Sequence, residues 1–148
     1  MKDKLDLKNQ PSTICYVEML QNNISRMSQL SGIVKAAMCV VYTILITVVL
    51  EMNILDKYWW IAILLTILGM ILDAYYLAME KIYVAKYNSF IEDLNNSNVK
   101  VENIYDMKPR NTKLKSELLA EILLSLKSYS ILGFYIIFIL IGILIKIL

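Results

Sequence analysis

Three long apolar runs, set apart by polar segments, organise this chain. A helix needs about 20 apolar residues to cross a hydrocarbon core about 30 Å thick. The first run, 33–52, is interrupted only by Lys35 near its start and Glu51 at its end. The second, 58–79, opens on Tyr58-Trp59-Trp60, and such aromatic residues favour the headgroup level. The third, 131–148, is apolar except for Lys146, which can snorkel outward; Phe134, Tyr135 and Phe138 fall near its starting interface or in the first leaflet beyond it. Only Asn53 to Lys57 separate the first two runs, which predicts a tight antiparallel hairpin. The expected fold is all-α: a hairpin plus a C-terminal span, with amphipathic helical extensions on the cytoplasmic side.

The flanks carry helical periodicity of their own. Pro11-Ser12-Thr13 reads as a helix start after the polar tail Met1 to Gln10. From Ile14, the residues Val17, Leu20, Ile24, Met27 and Leu30 recur at three- or four-residue spacing, so 12–32 reads as an amphipathic helix running into the first span. Beyond the second span nothing breaks the helix until about Leu94, where Asn95-Asn96-Ser97-Asn98 compete with helical hydrogen bonds. A connector, 99–110, closes on Pro109, and Asn111 or Thr112 can cap a last helix that starts near Lys113 and runs into the third span. Leu114, Leu118, Ile122 and Leu126 form its apolar stripe. Residues 80–130 thus read as a cytoplasmic helical segment, and 1–148 as a single membrane domain.

Composition sharpens the class. The chain is 58% hydrophobic and 19% charged, with a mean hydropathy of +0.56. Soluble domains average roughly 45–50% apolar and about 25% charged. With no histidine, imidazole acid–base chemistry and histidine metal sites are excluded. Cys15 and Cys39 lack metal-ligand spacing, and Cys39 reads as a small buried hydrophobe. No metal, cofactor or enzymatic activity is expected, and a net charge of +2 is too small to argue for nucleic acid. Basic residues crowd the N-terminal segment and 80–130, whereas the hairpin turn has only Lys57. That bias predicts a cytoplasmic N-terminus and, after three spans, a C-terminus outside.

Ionisable residues inside a membrane cost roughly 2.5–3.5 kcal/mol on insertion scales, so each needs an account. If the hairpin turns around residue 55, Lys35 lies 20 residues before the turn and Asp73 lies 18 after it. Nearly equal depth on adjacent helices predicts a contact. Such a pair either neutralises itself and fixes the hairpin register, or it leaves Asp73 on a water-filled path between subunits. Tyr76, Glu80, Tyr83 and Tyr87 follow Asp73 on one helical face, below the membrane. On the first helix Ser25, Ser28, Gly32, Ala36, Cys39 and Thr43 form a stripe of small residues suited to close helix packing. The ten tyrosines are mostly accounted for by an aromatic belt.

The order Gln21-Asn22-Asn23-Ile24-Ser25-Arg26-Met27, Lys35, Leu72-Asp73-Ala74-Tyr75-Tyr76-Leu77, Glu80 and Tyr83 resembles the SLATT class of small bacterial membrane proteins. Ser128-Tyr129-Ser130-Ile131 with Phe134-Tyr135 resembles the start of the final helix in such proteins. The likeness covers most of 17–91 and the last span. It departs from the pattern at Val84, where a second basic residue is expected, and in having a third span. The resemblance implies a pore-forming or membrane-disrupting effector of antiphage defence (abortive infection), oligomeric in the bacterial inner membrane and coupled to a cytoplasmic sensor or signalling protein. Two other readings compete with it: a holin-like lysis protein, which the lack of a basic C-terminal tail opposes, and a non-toxic accessory or immunity subunit binding a partner through 80–130.

Overall fold

The computed structural model describes residues 10–52, 55–96 and 114–147, with side chains described for 10–48, 60–96 and 118–144. The N-terminal tail, the centre of the hairpin turn, the 99–110 connector with its cap and the side chains of Tyr58, Trp59, Leu114 and Lys146 lie outside these. The described residues form four helices and no strand: α1 Pro11–Met52, α2 Leu55–Asn96, α3 Leu114–Leu126 and α4 Tyr129–Ile147.

Proline at the first helical position of α1 has its φ preset, and its missing N–H would have been an orphan anyway. The Gln10 carbonyl accepts the N–H groups of Thr13 and Ile14 at 3.0 and 3.1 Å to close the first turn. No proline interrupts α1 or α2 thereafter, and each runs for 42 residues, about 63 Å. That is twice the thickness of a hydrocarbon core. The expected 12–32 extension and first span are therefore one uninterrupted helix, and so are the second span and the segment to Asn96.

The two long helices lie antiparallel. Tyr16 meets Phe90 edge-on, Ser31 meets Asp73, and Tyr42 meets Ala62 and Thr66. Helix α2 is the spine, since α1, α3 and α4 all pack on it. Helix α4 runs beside α1 and antiparallel to α2, with Ser130 near Lys35, Tyr135 bonded to the Gly69 carbonyl and Gly142 against Ala62.

Packing divides into two clusters. The apolar half is held by Met38, Tyr42, Ala62, Ala74, Ile131, Tyr135 and Phe138; the polar half by Tyr16, Leu20 and Phe90, with Val17, Tyr83, Tyr87 and Ile91 around them. Ile14 of the expected stripe is exposed, and Thr13 and Tyr16 take the inward positions instead. Only two helices, α1 and α2, are by themselves long and apolar enough to cross a membrane among the described residues. A third or less of the most apolar stretch of each is buried within the chain, and much of the remainder is exposed.

One expectation fails here. The last helix does not run unbroken into the third apolar run: it stops at Leu126, and α4 leaves at an angle of 59° to α3. The cause is local. The Lys127 and Ser128 N–H groups bond back to the Leu124 and Ser125 carbonyls, which tightens the end of α3. The Ser128 carbonyl then accepts from Ile131 and Leu132, so Ser128 stands as the N-cap of a new helix.

Gly69 on α2 lies directly against the Met38 side chain of α1. A Cβ there would lie 2.6 Å from Met38 Sδ. Because Met38 is flexible, Gly69→Ala is expected to be tolerated. Gly69→Leu overpacks the core and should cost about 1–3 kcal/mol, read as a lower midpoint in detergent unfolding.

Candidate functional site

Four polar side chains converge where the apolar half of the bundle begins. Ser31 and Lys35 stand one turn apart on α1, Asp73 faces them from α2, and Ser130 lies in the first turn of α4. Lys35 Nζ sits 3.3 Å from Asp73 Oδ2. The Ser31 hydroxyl donates to Asp73 Oδ1. The ammonium also donates to Ser31 Oγ at 3.3 Å and to Ser130 Oγ at 3.4 Å, so it ties three helices together. The Tyr135 hydroxyl, which donates to the Gly69 carbonyl at 3.0 Å, lies close to the same carboxylate.

Burial is unequal across the pair. Asp73 is fully buried, whereas the Lys35 side chain is 25% exposed. Among the described residues no hydrogen bond reaches Asp73 Oδ2, so the nearby positive charge is what compensates its removal from water. This carboxylate is enclosed by its own chain and paired with a cation of that chain. It does not face outward toward a neighbouring copy. Between the two roles open to the pair in the sequence, the geometry favours the structural one.

The remaining candidates separate into two groups. Tyr76, Glu80, Tyr83 and Tyr87 are all half-buried. Tyr83 and Tyr87 pack on the Tyr16–Leu20–Phe90 cluster, and Gln21 Nε2 donates to Tyr87 at 3.3 Å, so these two tyrosines form a seam between α1 and α2. Ser25, Arg26, Ser28, Gly32 and Ala36 are exposed, as is Cys39, which is therefore not the buried hydrophobe its apolar run suggests. Apart from its own helix, none of the described residues lies within 4 Å of a Cβ added at Gly32. Among the described residues, the small-residue stripe from Ser25 to Cys39 thus stays exposed.

A second polar knot, higher in the apolar half, is absent from the sequence reading. The Tyr42 hydroxyl is hydrogen-bonded to Thr66 and donates to the Ala62 carbonyl at 2.7 Å, and its ring meets Phe138 edge-on at 4.5 Å. Thr66 Oγ1 also reaches the Ala62 carbonyl, at 2.8 Å. The signal was available. Tyr42 and Thr66 share with Lys35 and Asp73 the same midpoint along the sequence. A tyrosine well inside an apolar run is also too deep for an aromatic belt.

No cluster of three or more metal-binding side chains occurs among the described residues. No protein-family model matches the chain, and neither the curated proteins nor the solved structures contain a match.

Proposed function

We propose that this chain is a membrane effector of a bacterial antiphage system, one that self-associates in the cytoplasmic membrane and permeabilises it when triggered. In this reading α1, α2 and α4 are the spans, the N-terminus and the 80–130 segment lie in the cytoplasm, and a signalling protein there supplies the trigger. The defence context rests on the resemblance of residues 17–91 to the SLATT class. The self-association rests on one observation: α1 packs within the chain through Leu20, Ser31, Met38 and Tyr42, and leaves its small-residue face open.

That open face suits copy-to-copy contact in lipid, where small side chains let helix backbones approach closely. It continues through Cys39 and Thr43 to Thr47, and both threonine hydroxyls donate at 2.9 Å to the carbonyl one turn back. A conduit between copies would follow this face rather than Asp73, which is sealed inside the chain.

Cells carrying the protein and its trigger should lose membrane potential, read with a potential-sensitive dye. Gly32→Leu, with open space around it, should fold normally yet give smaller oligomers in detergent and spare the potential. Unchanged oligomer size in that variant would remove the interface assignment. Triggered cells that stay polarised while phage protection persists would overturn permeabilisation and favour an accessory subunit.

A further inference from the structure

Helix α3 has a second apolar face that the sequence stripe does not account for. Ile122 and Leu126 turn toward the bundle core, and Ser125 is buried, held by Lys81 Nζ at 3.2 Å. On the outer side, Leu119, Leu123 and Leu124 are 62%, 63% and 57% exposed. Three leucines left in water beside a well-packed inner face would be a costly surface, and contiguous exposed apolar patches mark something that covers them.

We propose that the cover is the bilayer itself: α3 lies in the cytoplasmic headgroup zone with Leu119, Leu123 and Leu124 dipped toward the acyl chains. The inference rests on the reading of α4 as a span, and the bend supplies its geometry. Bent 59° from α4, helix α3 descends only about 0.8 Å per residue along the α4 axis, against 1.5 Å for a straight continuation. From Leu126 back to Leu119 the chain therefore drops about 5–6 Å. The headgroup zone is itself roughly 5–7 Å deep on each side.

The residues at the bend fit that level. Lys127 is exposed and Tyr129 is 94% exposed, the pairing of a snorkelling cation and an interfacial aromatic that anchors helices at a headgroup boundary. Ser130, one residue on, bonds to Lys35 at the base of the apolar bundle, which fixes the start of α4 at the same depth as the ion pair. Helix α4 likewise leaves Leu132, Ile136 and Ile137 exposed. An interfacial helix of this kind carries its hydrophobic side about 5–10 Å into the boundary.

The test uses the full chain with Trp59 and Trp60 changed to Phe, so that one introduced tryptophan reports alone. Leu123→Trp and, in a separate protein, Leu119→Trp are reconstituted into phosphatidylcholine–phosphatidylglycerol vesicles, with Ile137→Trp in α4 as the span reporter. Both α3 reporters should lose most of their emission to lipids brominated near the headgroup end of the chains, and less to lipids brominated near the chain terminus. The α4 reporter should show the reverse. Quenching of the α3 reporters by aqueous iodide but not by brominated lipid would put the leucines in water and overturn the proposal. Protection from both quenchers would mean that a second copy or another protein covers the face, and overturns it equally. An α4 reporter deaf to brominated lipid would take the third span down as well, whereas a quenched α4 reporter beside unquenched α3 reporters overturns the α3 assignment alone.

Discussion

Lys35→Ala is expected to destabilise the protein more than Asp73→Asn does, although the two remove opposite halves of one ion pair. The asymmetry follows from burial. Without Lys35, the Asp73 carboxylate stays enclosed, with the Ser31 hydroxyl bonded to it and the Tyr135 hydroxyl nearby. Removing one partner of a buried pair costs about 3–5 kcal/mol in soluble proteins, chiefly because the other charge is stranded. Without the Asp73 charge, Lys35 is already 25% exposed and holds Ser31 and Ser130, and its long chain can carry the ammonium to the headgroups. Asp73→Asn also keeps an acceptor for Ser31, so its cost should be about 1–2 kcal/mol. Adding Asp73→Asn to Lys35→Ala should recover much of the loss, because no buried charge then remains. Unfolding midpoints in detergent for the two single variants and the double variant decide the order. Equal losses, or a double variant no better than Lys35→Ala, would remove the stranded carboxylate as the cause. A double variant that folds but no longer depolarises cells would return Asp73 to the conduction path.

The contact between Lys35 and Asp73 was legible because a hairpin converts distance from its turn into depth, and charges in apolar runs are few enough to be matched by counting. The starts of α1 and α3 and the end of α2 were legible for a similar reason: Pro11 at one end, the asparagines after Leu94 at another and the cap region before Leu114 are strong punctuation. The break at Ser128 was harder to see. Serine is neutral enough in a helix to pass unnoticed, and nothing like proline or glycine stands beside it; only the backbone bonds of Lys127, Ser128, Ile131 and Leu132 reveal a cap. Apolar residues also hide their direction. Leu119, Leu123 and Leu124 are as apolar as Leu118 on the expected stripe, yet they face outward, and their identity alone does not say what they face. Inside an apolar run, periodicity cannot tell a lipid-facing side from a packed one, because both are hydrophobic.

Tyr42 makes the same point in energetic terms, and Tyr42→Ala is expected to be as damaging as the loss of Lys35. The ring is only 2% exposed and fills the space between α2 and α4, edge-on to Phe138. Lipid tails are as apolar as the core, so the hydrophobic effect contributes little to helix association there, and packing contacts carry the stability. Truncating a buried aromatic ring to a methyl removes those contacts and leaves a cavity, at a cost of about 3–5 kcal/mol in soluble cores. The hydroxyl is the smaller part. In Tyr42→Phe, Thr66 keeps the Ala62 carbonyl at 2.8 Å, so no buried polar atom is stranded, and the expected cost is about 1 kcal/mol. The Phe138 side of the contact supplies the check. Phe138→Ala should lower the unfolding midpoint by a similar amount, and Tyr42→Ala with Phe138→Ala should cost clearly less than the two separate losses combined, since both remove one packed pair. Strict additivity would mean that the rings stabilise the bundle independently and that α4 is not held on the hairpin through this contact. A Tyr42→Phe variant as unstable as Tyr42→Ala would shift the weight from ring packing to the hydrogen bonds around Thr66.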